Sequence, residues 1–222
     1  WRNRDYSKWN VPLMRDTEII ERPANQTTLT KRYTDEAIKF IHNSKDQPFF
    51  LYMPQTMPHI PLFASPDFYT GDPKDAYKAC IEEMDWSVGK VMSTLKELGL
   101  DENTFVVFTS DNGPWLNLQP PHHGGSALPL RKGKFTTYEG GMRVPAIFRM
   151  PGKIKAGTES DEVAAAFDLL PTFASLAGAK LDADRTIDGK NIWPLLSGAT
   201  DSSPHDAFYY FRGGGRIEAV RR

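Results

Sequence analysis

An α/β fold, with helices packed on a largely parallel mixed sheet, is what this 222-residue sequence predicts. Two continuous apolar blocks, 49–53 and 105–108, read as strands buried on both faces. Between them, residues 73–98 carry a long helical pattern. Strand, loop, helix and strand in that order form a crossover unit, and its right-handed connection joins parallel strands.

Residues 1–28 show no clean period and read as irregular loop. Tyr33, Ala37, Phe40 and Ile41 then recur at helical spacing over 30–43, and Gln47-Pro48 ends the run. A proline-rich loop follows over 54–66. In the long helix the apolar stripe is Tyr77, Ile81, Met84, Val88, Val91, Leu95 and Leu98, with Pro73 in the first turn and Gly99 as C-terminal cap. A long glycine-rich loop spans 110–141, the length at which loops are usually functional. Residues 144–150 read as another strand and 163–167 as a short one; Asp168 caps a helix through Leu176, closed by Gly178. A short helix over 192–196 and strands over 207–211 and 217–220 complete the pattern.

Charge is balanced, 27 basic against 28 acidic residues, which argues against nucleic acid and anionic membrane surfaces as partners. No apolar run is long enough to span a membrane. The single cysteine, Cys80, lies in the helical pattern and reads as a core residue. Asn25-Gln26-Thr27 has the form of a glycosylation sequon, a triplet common by chance. The chain begins at Trp1 without methionine, which reads as a fragment.

Three elements bear chemistry. The strand 105–109 runs into Ser110-Asp111-Asn112-Gly113, where a carboxylate and an amide oxygen stand side by side at a strand end. Both are hard ligands for Ca²⁺ or Mg²⁺, and a following glycine permits a tight turn with positive φ. On these four residues alone an ordinary Asp-Asn-Gly turn is the commoner reading. His59 stands between Pro58 and Pro61 in a stiff, extended stretch, suited to holding an imidazole in place or simply to packing a loop. Lys134 lies in Arg131-Lys132-Gly133-Lys134, where it can approach an anion or serve as a solvated turn. Glu139 and Arg143 read as a supporting ion pair, and Asp85 as a structural carboxylate. His122, His123 and Trp115 could line a substrate cleft or pack the loop; His42 and His205 have no partner in sequence, and Arg212, Arg216, Arg221 and Arg222 read as a solvated or truncated edge.

Taken together, these stretches resemble the sulfatase family of the alkaline phosphatase superfamily, and arylsulfatases in particular. The matching segments are Pro48–Tyr52, Pro58–Pro61, Asp101–Gly113, Leu130–Pro145, Pro151–Ile154, Phe167–Gly178 and Asp188-Gly189, in family order and spacing. The resemblance implies a sulfatase-like, alkaline-phosphatase-like fold, truncated, with 1–206 part of the catalytic domain and 207–222 the start of a small C-terminal subdomain. It implies hydrolysis of a small-molecule or glycan sulfate ester. Asp111 and Asn112 match metal ligands, usually for Ca²⁺. His59 matches a histidine near the ester oxygen and sulfate, and Lys134 a lysine that contacts the sulfate. The family's formylglycine nucleophile arises in a Cys/Ser-x-Pro-x-Arg motif that these residues lack, so it is expected only in a missing upstream segment, with the early metal-binding aspartates. Family compartments are periplasmic, secreted or lysosomal. A phosphodiesterase or phosphonate hydrolase of the same superfamily, and a non-catalytic anion- or partner-binding module, remain alternatives.

Overall fold

The computed structural model describes residues 9–116 and 124–222. They form two compact units. Among the described residues, the first holds 9–101 with 115–116 and 124–126; the second holds Glu102–Pro114 and Ala127–Arg222. No described helix is long and apolar enough to cross a membrane.

The first unit opens on an antiparallel hairpin, β1 (Leu13–Arg15) and β2 (Glu18–Glu21), where irregular loop was expected. The hairpin is too short for an alternating pattern to stand out, and its turn depends on Asp16 adopting a φ of 51°. Asn25, the sequon residue, is engaged locally: its side-chain oxygen accepts from Thr27 N at 3.1 Å and Thr27 Oγ1 at 2.8 Å. Helix α1 (Leu29–Ser44) buries Thr30, Thr34, Ala37, Ile41 and Ser44, one face at steps of three and four. Phe40 lies beside that face and meets Phe49 edge-on at 5.9 Å.

Helix α2 (Ala76–Glu97) starts three residues after Pro73, so the proline lies in the approach to the helix and not in its first turn. Its most buried residues are Ala76, Ala79, Cys80, Glu83, Ser87, Thr94 and Leu95. Of the apolar stripe expected from sequence, Leu95 is buried and the others are half-buried. The reason is close approach to α1: Thr34 Oγ1 lies 2.6 Å from Ser87 Oγ, and small side chains fit that seam where large ones would not. Asp85 is exposed, and the structural carboxylate is its neighbour Glu83, which accepts from Ser65 N at 3.0 Å. Cys80 is buried as expected, in a cluster with Met57, Leu62, Phe63, Ala64, Ala76 and Ala79. Gly99 ends the helix at a φ of +68°, with Leu100 N bonded to Leu95 O at 2.8 Å.

Residues 49–53 belong to none of the described sheets, contrary to the expected strand, and Phe50 and Tyr52 are exposed. An apolar run becomes a strand only against a pairing partner, and none of the described ladders reaches it.

In the second unit, β3 (Val106–Thr109) pairs with β4 (Ala146–Arg149), from Val106↔Arg149 to Thr109↔Ala146. The pair is antiparallel, as are all three described two-stranded sheets, so the expected parallel pairing is absent among the described residues. The partner of β3 is thus the strand that follows it in the chain, and not the segment 49–53 that precedes it. One face is covered: Phe105 stacks on Phe148 at 6.2 Å and meets Phe173 and Trp193 edge-on at 5.8 and 5.6 Å. The other leaves Phe108 and Ile147 exposed, so β3 is not buried on both sides.

Within the loop, Glu139–Met142 forms the short helix α3. The stretch 163–167 is not a strand; Ala166–Asp168 makes a 3₁₀ turn leading into α4 (Leu169–Leu176), which Gly178 closes at a φ of +67°. The Asp168 carboxylate overrides strand propensity by reaching back to Ala165 N at 2.8 Å. Helix α5 (Trp193–Leu196) follows, and then the hairpin of β5 (Phe208–Arg212) and β6 (Arg216–Arg221).

Candidate functional site

In the second unit, the end of β3 and the segment 131–141 are joined main chain to main chain. Gly113 N donates to Gly141 O at 3.0 Å, Lys134 N to Pro114 O at 2.9 Å, and Gly140 N to Arg131 O at 2.9 Å. Only glycine permits this spacing. A Cβ on Gly113 would stand 1.9 Å from Gly140 O, and one on Gly140 would stand 2.1 Å from Lys132 O. Gly113 is not among the positive-φ glycines, so its role is close backbone approach and not the tight turn expected.

This junction brings Asn112 and Lys134 to one cavity of about 440 Å³. Phe135, Thr137, Tyr138 and Met142 line the same cavity from the 131–142 segment. Phe211, Arg212, Gly213 and Glu218 line it from the β5–β6 hairpin. Lys134 Nζ lies 5.5 Å from the centre of the Phe135 ring. Phe135 holds a φ of +71°, a strained setting for a bulky side chain, and is 75% exposed.

Two carboxylates fasten the hairpin to this segment. Glu139 accepts from Tyr210 OH and from Arg221 Nη1, each at 2.6 Å, and pairs with Arg143 at 3.8 Å. Burial, reinforced by the hydrogen bond to Glu139, pushes the Tyr210 phenol up to about 12. Glu218 accepts from Thr137 Oγ1 at 2.7 Å and from Arg212 Nη1 at 3.2 Å, and those bonds hold its carboxyl below the usual range. Arg221 is therefore a pinned side chain, where the sequence suggested a solvated edge, while Arg212 keeps the solvent exposure expected and pairs with Glu218 at the surface. No local signal reveals the Arg221 contact, because its partner Glu139 lies 82 residues away in the chain.

Asp111 is exposed beside the half-buried Asn112. The Asn112 Nδ2 amide donates to Gly113 O at 3.0 Å, which leaves the side-chain oxygen free of that contact. Carboxylate and amide oxygens suit a hard cation, yet Ca²⁺ takes about six to eight oxygens. No group of three or more His, Cys, Asp and Glu able to hold a metal ion stands among the described residues. The pair fits two positions of such a shell and by itself falls short of a full one.

His59 lies in the first unit. It is exposed, and its Nδ1 donates to Ile60 O at 2.7 Å, leaving Nε2 as the other ring position for proton exchange. The backbone at 57–61 turns and is not the extended stretch expected. Met57 and Leu62 both reach the buried cluster, and a chain that returns to one core within a few residues must bend. His122 and His123 lie outside the described residues. His205 does have a partner, the buried Asp168, at 2.8 Å.

The sulfatase family model matches residues 1–179. The steryl-sulfatase of Rattus norvegicus is 42% identical over 205 residues, covering 91% of this chain and 36% of that protein. The N-acetylgalactosamine-6-sulfatase of Mus musculus is 42% identical over 219 residues, covering 93% of this chain and 41% of that protein. The chain thus spans well under half the length of the curated relatives it matches. Among solved structures, the PsFucS1 sulfatase from Pseudoalteromonas sp. superposes with a TM-score of 0.79 at 29% identity, over 88% of this chain and 39% of that one. Ps i-CgsB in complex with k-i-k-neocarrahexaose gives 0.78 at 32% identity, over 92% and 46%. These likenesses make the fold the α/β fold of sulfatases. On the family match over most of its length, the chain belongs to the sulfatase family.

Proposed function

We propose that this chain supplies part of the active site of a sulfuric ester hydrolase, with the β5–β6 hairpin opening the smaller C-terminal subdomain. The observation that carries the reading is the cavity shared by Asn112 and Lys134, held by glycine-dependent main-chain contacts. An amide at a strand end and a primary ammonium facing one space suit a tetrahedral anion together with a cation. Steryl and N-acetylgalactosamine-6-sulfatases among the relatives favour sulfate esters over phosphate esters.

Cleavage of a sulfate ester breaks the bond between sulfur and the leaving oxygen, where negative charge collects. Lys134 contacts the sulfate oxygens and stabilises their charge. His59, tied through Nδ1–H to Ile60 O, hands a proton from Nε2 to the leaving oxygen. Asp111 and Asn112 hold a divalent cation, Ca²⁺ first and Mg²⁺ second, which when bound polarises the sulfuryl oxygens. The nucleophile, a formylglycine in this family, has no motif in these 222 residues and must be supplied from outside them.

The test is an enzyme that joins this chain to a family nucleophile segment, assayed on an aryl sulfate. Lys134→Ala and His59→Ala should each lower kcat/KM by about a hundredfold, the scale of one charge-stabilising or proton-transferring group. Undiminished kcat/KM in both variants would overturn the proposal.

A further inference from the structure

The far wall of the Lys134 cavity has a chemistry of its own. Arg212 and Glu218 stand across the β5–β6 turn, paired at 3.2 Å, with Arg212 72% exposed. Glu218 is also anchored by Thr137 Oγ1 at 2.7 Å, so this polar pair is fixed relative to the segment bearing Lys134. One donor fork and one acceptor side by side match adjacent hydroxyls, since a hydroxyl both gives and takes a hydrogen bond. Phe135 adds a flat apolar face to the same cavity, next to Lys134. It holds that place on a left-handed backbone that disfavours an aromatic residue.

An aromatic face beside a hydroxyl-reading pair is the wrong lining for a fused apolar ring system. A sterol would offer the Arg212–Glu218 pair no new hydrogen bond, whereas a hydroxyl can join it from either side. A sugar ring presents CH groups to an aromatic face and hydroxyls at its rim.

We infer that Arg212, Glu218 and Phe135 are specificity-determining residues that select a sulfated sugar over a sterol sulfate: Phe135 stacks on the ring and the Arg212–Glu218 pair reads two adjacent hydroxyls. The inference rests on the proposed function only in placing the sulfate at Lys134.

Binding to the full 222-residue chain, followed by ligand-observed NMR titration, tests both layers separately. The probes are galactose 6-sulfate, estrone 3-sulfate and inorganic sulfate. The sugar sulfate should bind about tenfold tighter than estrone sulfate, the scale of one or two well-made polar contacts. Arg212→Ala should weaken it about fivefold, the scale of one lost polar contact, and leave inorganic sulfate unchanged. Phe135→Gly should weaken it comparably, again with inorganic sulfate unchanged; glycine accepts the +71° φ, so the ring is removed without backbone stress. Estrone sulfate binding as tightly as the sugar sulfate, or sugar affinity indifferent to both substitutions, would overturn the inference. Inorganic sulfate binding that ignores Lys134→Ala would instead overturn the sulfate assignment, and the inference with it.

Discussion

The carboxylate of Asp168, wholly buried, sits 2.8 Å from Nε2 of His205, 37 residues further along the chain. The same carboxylate accepts from Ala165 N and from Lys190 N, each at 2.8 Å. It closes the turn before α4 and ties two later segments to it. Asp168→Ala leaves two main-chain donors and an imidazole without acceptors, and should cost about 3 kcal/mol or more of unfolding free energy. His205→Ala removes one donor and keeps the rest, and should cost about 1–2 kcal/mol. Urea denaturation of both variants checks the order; equal losses would show that the backbone contacts contribute little.

Tyr210 gives the fold an alkaline limit. Its phenol stays protonated up to about 12 in the folded chain, while an unfolded tyrosine ionises near 10. Above that lower value the unfolded chain releases a proton that the folded chain keeps, so stability falls as pH rises between about 10 and 12 and is fully present below 10. Tyr210→Phe should lower stability at neutral pH, by about 1–2 kcal/mol for a hydrogen bond to a carboxylate, and flatten the alkaline decline. Chemical denaturation from pH 8 to 11 reads both effects, and an unchanged slope would exclude Tyr210 as its source.

Gly113→Ala forces a methyl group to within 1.9 Å of Gly140 O, a contact with main chain that no rotamer relieves. The expected loss is about 2–3 kcal/mol, with weaker sulfate binding because Asn112 and Lys134 are pushed apart. Gly89, which has open space around it, is the matched control: Gly89→Ala should leave stability equal or slightly raised, as usual for glycine in a helix. Thermal melts of the pair decide the point.

Asp111→Ala, in an enzyme supplying the rest of the shell, should reduce Ca²⁺ affinity by about tenfold or more, because a charged oxygen ligand is lost. Calcium titration measures it, and unaltered affinity would remove Asp111 from the shell. The 222-residue chain by itself should release no sulfate from an aryl sulfate ester above background, even with Ca²⁺, since it lacks the nucleophile motif.

Legibility in sequence followed the range of the forces involved. Helices α1 and α2, the caps Gly99 and Gly178, and strands β3 to β6 were readable because local periodicity and turn chemistry determine them. Pairing direction was not, because the ladder between Val106 and Arg149 depends on a loop reversal without periodicity. The buried face of α2 was misjudged for a related reason: Ala79 and Ser87 are buried by the closeness of α1, not by their hydrophobicity. Asn112 and Lys134 were singled out through motif resemblance, and both line one cavity. Phe135 and Glu218 were not singled out, and Arg212 was read only as a solvated or truncated edge, because a backbone angle and contacts between the hairpin and the 131–142 segment define their setting.

The glycine junction between residues 113–114 and 134–141 divides labour within the cavity. One wall is set by main-chain atoms, which point mutations cannot tailor. The opposite wall is a hairpin tip held by side chains, Thr137 to Glu218 and Tyr210 to Glu139. Redesign of the cavity therefore has a natural handle: residues 212–218 can be exchanged as a cassette while the wall that carries Asn112 and Lys134 stays as it is.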